Sequence, residues 1–402
     1  MMPVMDRLLP VGRGDRAADR TREEGIRLDP WLLLAVGALI GWGLVMLFSA
    51  SIVQGERLGM PYHYPLRQVV AMMIGLFLAG VVITRVPLAR YVQARAWILL
   101  LAIFLLVLVL VPGVGKEVNG AQRWISLGLF NLQVAEVARL LILIWMAGYV
   151  ATRLELLQNR PRGMFMPSLV LVVALLLMLM QPDFGTAAIL GATIFLVAWL
   201  AGAHLPTMLL LSALGLGLGY LAMTMESYRI ERLISFVDPW ADPYGSGYQL
   251  ANSLIAIGSG GVFGRGLGES VQKMFYLPEA HTDFIFSVLA EEFGLVGVLC
   301  VVGLYAVVVW RGLAIAQMAW RRGQLFGGAL AWGITLWLGL QAFVNMGVSM
   351  GLLPTKGLTL PLMSYGGSSM IVSLVAVALL IRIHHEATHQ PVRRRAPEGA
   401  AS

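Results

Sequence analysis

Ten apolar stretches, each near the length that crosses a lipid bilayer, constrain this chain more than any other feature. They run roughly over 31–51, 68–84, 97–112, 134–151, 168–181, 184–202, 207–224, 284–310, 327–350 and 368–383. A hydrocarbon core about 30 Å thick needs about 20 residues of helix to span it. Inside lipid every backbone polar group must find its partner within the protein, which leaves helices or closed barrels. Runs of this length predict an all-α polytopic membrane protein with about ten transmembrane helices. Composition agrees, since 58% of the 402 residues are hydrophobic and 13% are charged, too few polar groups to cover a soluble protein of that size. The first run, Trp31 to Ser51, outlasts a signal-peptide core and reads as a retained helix. The expected organisation is an Arg-rich tail over 1–30, a ten-helix membrane domain over 31–383 and a tail over 384–402. A large structured loop over 224–283 joins helices seven and eight.

An even number of crossings puts both termini on one side. Of the Lys and Arg residues, 19 fall in the tails and loops of that side, nine fall on the other, and Arg139 lies within the fourth segment. Short cytoplasmic loops collect Lys and Arg, so both termini are expected in the cytoplasm. The net charge of +7 is thereby a topology signal, and no nucleic-acid partner is expected. The single cysteine, Cys300, lies in an apolar run and offers neither a disulfide framework nor a Cys-based metal site.

The loops expected outside are the chemically rich ones. They include "VPGVGKEVNGAQRWISLGLFNLQ", "QPDFG", the long 224–283 loop and "GLLPTKGLTLPLMSYGGSS". Within the long loop, "LANSLIAIGSGGVFG" alternates apolar and small residues, as short helices lying on or dipping into a bilayer do. Functional residues concentrate on loops held by a rigid scaffold, so any chemistry belongs on this face. In "YLPEAHTDFIFSVLAEEFGLVG" an apolar run opens on Asp283 and carries Glu291 and Glu292 inside. Two readings stand for Asp283: with Thr282 it caps the eighth helix, or it is a general base whose proton affinity rises with partial desolvation. Glu279 and His281 are placed to orient it or share its proton. Glu291 lies about 12 Å deeper by helix geometry. For Glu291 and Glu292 the favoured reading is a buried pair, with Arg139 or another donor, that pins helix packing.

Glu136 and Arg139 are three apart on one helical face. Such a pair neutralises itself locally or belongs to a polar cavity below the outer face, and spacing leaves both open. In "QPDFGTAAIL" Asp183 is placed to cap the next helix. "GSGGVFGRGLGES" fits neither a dinucleotide fingerprint nor a P-loop. Its glycines suit close helix packing first and an anion cradle with Arg265 and Lys273 second. "HEATH", His385 to His389, matches a zinc-protease pattern but has no third ligand and no supporting shell, and is rejected as coincidence.

Taken together, "YLPEAHTDFIFSVLAEEFGLVG", "DPYGSGYQLANSLIAIGSGGVFGRGLGES", "NGAQRWI", "QPDFGTA" and "GLLPTKGLTLPLMSYGGSS" resemble, in this order, the SEDS family of bacterial cell-wall proteins, over about Trp31 to Ile383. "LPTKGLTLPLMSYGGSS" and "LPEAHTDFIFSVLAEE" resemble its cell-division branch more than its elongation branch. One departure is Val134-Ala135-Glu136 followed by Arg139, where the family usually shows Pro-Ser-Glu with a Lys or Arg three residues on.

The resemblance implies a peptidoglycan glycosyltransferase of the inner membrane, at the division septum, that polymerises lipid II and releases undecaprenyl diphosphate. It puts the family's essential Asp on Asp283, as the base that deprotonates the acceptor sugar's 4-hydroxyl for inverting attack on the anomeric carbon. The diphosphate's charge then falls to Arg and Lys side chains or to a divalent cation such as Mg or Mn, whose ligands are not identified; no organic cofactor is implied. Candidates for the diphosphate or substrate are Arg123, Lys273 and Lys356, then Arg229, Arg232, Arg265 and Ser368. Glu136, Arg139, Asp183, Glu279, His281 and Glu291 are supporting candidates. Expected partners are a class B penicillin-binding protein, the division transpeptidase, and other divisome membrane proteins. Two competing functions are a lipid II flippase, which would lean on Glu136, Arg139, Glu291 and Glu292, and a non-catalytic division scaffold.

Overall fold

The computed structural model describes residues 26–118, 121–126, 128, 131–224, 236–274, 276–354 and 357–389. Arg229, Arg232 and Lys356 lie outside the described residues. The helices are α1 (Pro30–Arg57), α2 (His63–Arg85), α3 (Leu88–Leu108), α4 (Val134–Asn159), α5 (Phe165–Met180), α6 (Phe184–Leu200) and α7 (Leu205–Thr224), followed by α8 (Tyr248–Gly260), α9 (Ile285–Arg321), α10 (Leu325–Ser349) and α11 (Gly367–His389). Among the described residues, eight helices are long and apolar enough to cross a membrane, with Phe184–Leu200 and Leu205–Gly215 as shorter apolar helices. Each of the ten expected segments is met by one of these helices.

Helix ends follow local chemistry. Asp29 caps α1 by accepting the Leu32 N–H at 3.0 Å, with Pro30 at the first helical position, where its missing N–H costs nothing. The same carboxylate receives Arg311 from α9, so the basic end of the bundle is tied across about 280 residues of sequence. Asp183 accepts the Thr186 N–H at 3.2 Å and caps α6, as its position predicts. The helices α4, α10 and α11 are the most enclosed, while α2 and α3 show most of their apolar surface outward, as lipid-facing helices do.

Three features depart from the sequence reading. The chain between α3 and α4 folds back as an antiparallel sheet in the order β1 (Gly115–Val118), β2 (Ala121–Ser126), β3 (Asn131–Gln133), so the protein is not purely helical. The eighth expected segment begins where predicted but runs on to Arg321 and breaks at Gly294, whose φ of +64° suits glycine. The last helix continues through the HEATH residues to His389 instead of ending before them, and His385 there accepts the Arg27 N–H.

The break at Gly294 accommodates a re-entrant element. Helix α8 runs beside the short first part of α9: Ser253 meets Ser287 at 2.6 Å and the Ser349 carbonyl at 2.7 Å. Further along, the chain turns at the level of Glu291 and Glu292, where Arg265 and Gly266 donate N–H groups to their carbonyls. Gly264 (φ +82°) sits so close that a Cβ would come within 2.1 Å of the Glu292 carbonyl. Close packing is therefore what Gly260 and Gly264 serve, whereas Gly258, Gly261 and Gly268 have open space around them. The side chains of Phe263, Leu267 and Met274 face outward, so the turn carries an apolar rim into the depth of the bundle.

Candidate functional site

At the end of the bundle opposite the basic loops, the polar segments converge around Asp283. The N-cap position of α9 belongs to Phe284, so Asp283 stands one residue outside the helix and the capping reading does not hold. Its N–H donates to the Glu279 carbonyl at 3.1 Å, and its carbonyl accepts Asn345 Nδ2 at 2.8 Å. The same Asn345 amide bonds the Leu358 carbonyl at 2.5 Å, which fixes α10, α9 and the 357–366 loop against each other. The Asp283 side chain is half-buried and turns toward Gly357, where an added Cβ would lie 3.0 Å from its Oδ2. A Cβ there would make a tight contact with the carboxylate.

Around this carboxylate lies a hydrogen-bonded polar floor. Thr359 Oγ1 donates to Ser369 Oγ at 3.1 Å, and Gln341 Nε2 donates to the Thr359 carbonyl at 2.9 Å. Trp337 Nε1 donates to Gln341 Oε1 at 2.8 Å. The Arg139 guanidinium lies over the Trp337 ring, 4.2 Å from its centroid, and is ion-paired with Glu136 on the same helix. The i, i+3 pair is thus self-neutralising, and its position under the outer floor makes it part of the site's support.

Several candidates occupy places their sequence positions do not show. Ser368 was a substrate candidate; its hydroxyl is buried, accepts the Gln133 N–H at 2.8 Å and donates to the Asn131 carbonyl at 3.0 Å, so it joins β3 to α11. Arg123 donates from Nε to the Gln181 carbonyl at 2.8 Å and from Nη2 to the Pro182 carbonyl at 2.5 Å, clamping the turn before α6. Asp183, besides capping, accepts Gln133 Nε2 at 3.3 Å. Glu279 holds Thr282 Oγ1 at 2.8 Å and has a positive φ of 55°. His281 is buried against the rings of Tyr64 and Tyr365, with centroids 4.6 and 5.5 Å away. Burial pushes its pKa below the usual 6.5, against the opposing pull of Glu279. It packs the loop that carries Asp283.

Lys273 and Arg265 are paired with Glu292 and Glu291 at the re-entrant turn. Lys273 is only 3% exposed. Its ammonium meets Glu292 Oε1 at 2.8 Å, Ser49 Oγ at 2.8 Å and the Gly268 carbonyl at 2.7 Å, so no donor is left for a diphosphate. Arg265 lies at the re-entrant turn, 3.4 Å from Glu291, about two helical turns away from Asp283. Glu291 also accepts Ser270 Oγ at 2.5 Å and the Val271 N–H at 3.1 Å. The packing reading of both glutamates holds, with Lys273 and Arg265 as partners in place of Arg139. A buried carboxylate needs such partners to offset lost hydration. Asn345, Gln341, Thr359 and Tyr365 pack around the candidate site without having been singled out in the sequence; their signal was position in the loop "GLLPTKGLTLPLMSYGGSS" and the facing helix.

An apolar groove of about 220 Å³ opens between α6 and α10, lined by Gly185, Ala188, Ile189, Ala192, Leu340, Val344 and Leu358. Its upper end, Leu358, adjoins Gly357, so the groove climbs from lipid-facing surface to the residue that faces Asp283.

The family model for "Cell cycle protein" (FtsW, RodA, SpoVE) matches residues 30–389. The chain is 56% identical over 389 residues to the probable peptidoglycan glycosyltransferase FtsW of Halothiobacillus neapolitanus, covering 96% of this chain and 94% of that one. It is 52% identical over 377 residues to the protein of the same description from Alkalilimnicola ehrlichii, covering 93% and 94%. Among solved structures it is similar to a chain of a peptidoglycan synthase complex described for its coordination of polymerization and crosslinking, with 32% identity, a TM-score of 0.71 and coverage of 90% and 99%. It is also similar to the rod shape determining protein RodA of Thermus thermophilus, with 32% identity, a TM-score of 0.67 and coverage of 90% and 98%. This multi-pass membrane chain therefore belongs to the SEDS family of cell-cycle proteins.

Proposed function

We infer that this protein is a peptidoglycan glycosyltransferase of the division branch, which polymerises lipid II and releases undecaprenyl diphosphate, with Asp283 as general base. The relatives' shared description supports the activity. The observation that carries the site is the apolar groove rising between α6 and α10 to Leu358, beside the glycine that Asp283 faces. A polyprenyl chain suits such a wall, and its diphosphate and sugars would then stand at the polar floor.

In this reading Asp283 accepts the proton of the acceptor sugar's 4-hydroxyl. That oxygen bonds to the donor's anomeric carbon from the face opposite the diphosphate, the glycosidic C–O bond to the diphosphate breaks, and the lipid diphosphate leaves with both electrons. Configuration inverts. Base catalysis of this kind contributes about 10²- to 10⁴-fold. Arg123, which clamps the turn before α6 through Nε and Nη2, and Lys356 remain the cations best placed by sequence for the leaving group. A divalent cation would supply charge neutralisation at the diphosphate; among the described residues no three His, Cys, Asp or Glu side chains come together to hold one.

The flippase alternative needs acids along a crossing path. Glu136, Glu291 and Glu292 are each 1–3% exposed and paired within the bundle, which favours scaffolding over transport. The orientation that fits the Lys and Arg distribution puts both termini in the cytoplasm and Asp283 outside. The septum and other divisome membrane proteins follow from the division branch. A class B penicillin-binding protein is the partner supported by the likeness to a synthase complex. The test is polymerisation of labelled lipid II by the purified protein with its transpeptidase partner. Wild type should make glycan strands and Asp283→Ala should not; equal strand yield would remove Asp283 as the base, and translocation without strands would point to the transporter.

A further inference from the structure

We propose that the groove at the basic end of the bundle, between the starts of α5 and α7, seats one anionic phospholipid, with an acyl chain along its apolar walls and the phosphate on Arg162. The groove measures about 570 Å³, within the range of about 300–1,000 Å³ typical of small-molecule sites. Met164 and Phe165 form one wall and Leu211 the other, while Arg162, Ser168 and Thr207 supply its polar atoms. No carboxylate lines it.

Both rims are fixed to the end of α4. Tyr149 Oη donates to the Gly163 carbonyl at 2.6 Å, holding the 3₁₀ turn Pro161–Met164. On the other rim, Gln158 Nε2 bonds the Ala201 carbonyl at 2.9 Å and the His204 N–H bonds the Leu157 carbonyl at 3.0 Å. Helices α5 and α7 both begin here, so two positive dipole ends share the mouth. Exposed Arg160 and Arg162 flank Pro161 and add charge of the same sign.

The depth suits lipid. Phe165, Met166 and Leu205 are exposed beside the groove, and Trp199 is exposed at the end of α6, the level at which tryptophan marks a membrane interface. Basic pockets between transmembrane helices on the cytoplasmic side receive anionic headgroups. A zwitterionic lipid would bring its ammonium into the same positive field, and a free phosphate would leave the apolar walls uncovered. The groove lies at the opposite end from Asp283, and the inference does not rest on that residue's role.

The experiment uses the full chain in phosphatidylcholine nanodiscs carrying a trace of spin-labelled phosphatidylglycerol or spin-labelled phosphatidylcholine. Wild type should immobilise phosphatidylglycerol severalfold more than phosphatidylcholine. Arg162→Gln should bring the two together, Thr207→Trp should fill the groove and remove the excess, and Arg90→Gln, at the same end on α3, should keep it. Millimolar glycerol phosphate should not compete. Equal retention of the two lipids by wild type, an unchanged preference in Arg162→Gln or Thr207→Trp, loss in Arg90→Gln equal to that in Arg162→Gln, or displacement by glycerol phosphate would overturn the proposal.

Discussion

Helix α9 carries its acids in two settings that behave differently. At its mouth, Asp283 is half-buried, held through its backbone by Asn345 and Glu279, and turned toward a glycine. About 12 Å further along, by helix geometry, Glu291 and Glu292 are 1% exposed and surrounded by donors from the re-entrant turn and from α1. The deep pair is spent on architecture: every carboxylate there binds segments together. The outer acid has main-chain contacts to Asn345 and Glu279 and is half-buried. Position relative to the packed interior, more than residue type, separates the two settings.

This contrast predicts a graded set of outcomes. Asp283→Asn should lower strand formation by about 10²-fold or more, with the melting temperature close to wild type; a large loss of thermal stability would show that the outer acid is architectural too. Lys273→Met should do the reverse first, costing about 3–5 kcal/mol of stability because Glu292 is left buried and unpaired. In Lys273→Met/Glu292→Leu much of that loss should return, since an apolar pair of similar volume replaces the ions. Thermal melts of the singles and the double read the coupling. If the double variant is stable yet makes no strands, the deep pair has a role in turnover beyond holding the turn.

Smaller effects sharpen the same division. Gly264→Ala should cost about 1–3 kcal/mol, because its φ of +82° and the Glu292 carbonyl both exclude a Cβ; the same melts measure it. His281 gives a pH signature at the outer site. Its pKa is held below 6.5 by burial, so the unfolded chain takes up a proton first as pH falls. Stability tied to the neutral ring is full above about 6.5 and is lost as pH drops through the folded value. Melting temperature followed from pH 7.5 downward should fall more steeply in wild type than in His281→Gln; parallel curves would mean that another group governs the loop.

The ten apolar runs, the concentration of Lys and Arg at one end, the Asp183 cap and the local Glu136–Arg139 pairing were all legible from residue order. Each depends on a local rule: bilayer thickness sets helix length, free N–H groups select caps, and i, i+3 spacing sets pairing. Lys273, Arg265 and Ser368 could not be placed that way. Lys273 meets Glu292 19 residues on and Ser49 in α1, Arg265 meets Glu291, and Ser368 meets Asn131 237 residues back, and nothing in spacing says which distant segment will close over a charge. The sheet between α3 and α4 and the break at Gly294 likewise depend on packing against neighbours. Periodicity identifies what must be buried, whereas the partner that meets it is selected by three-dimensional closure, because burial of a charge is tolerated only where a complementary group arrives from elsewhere in the fold.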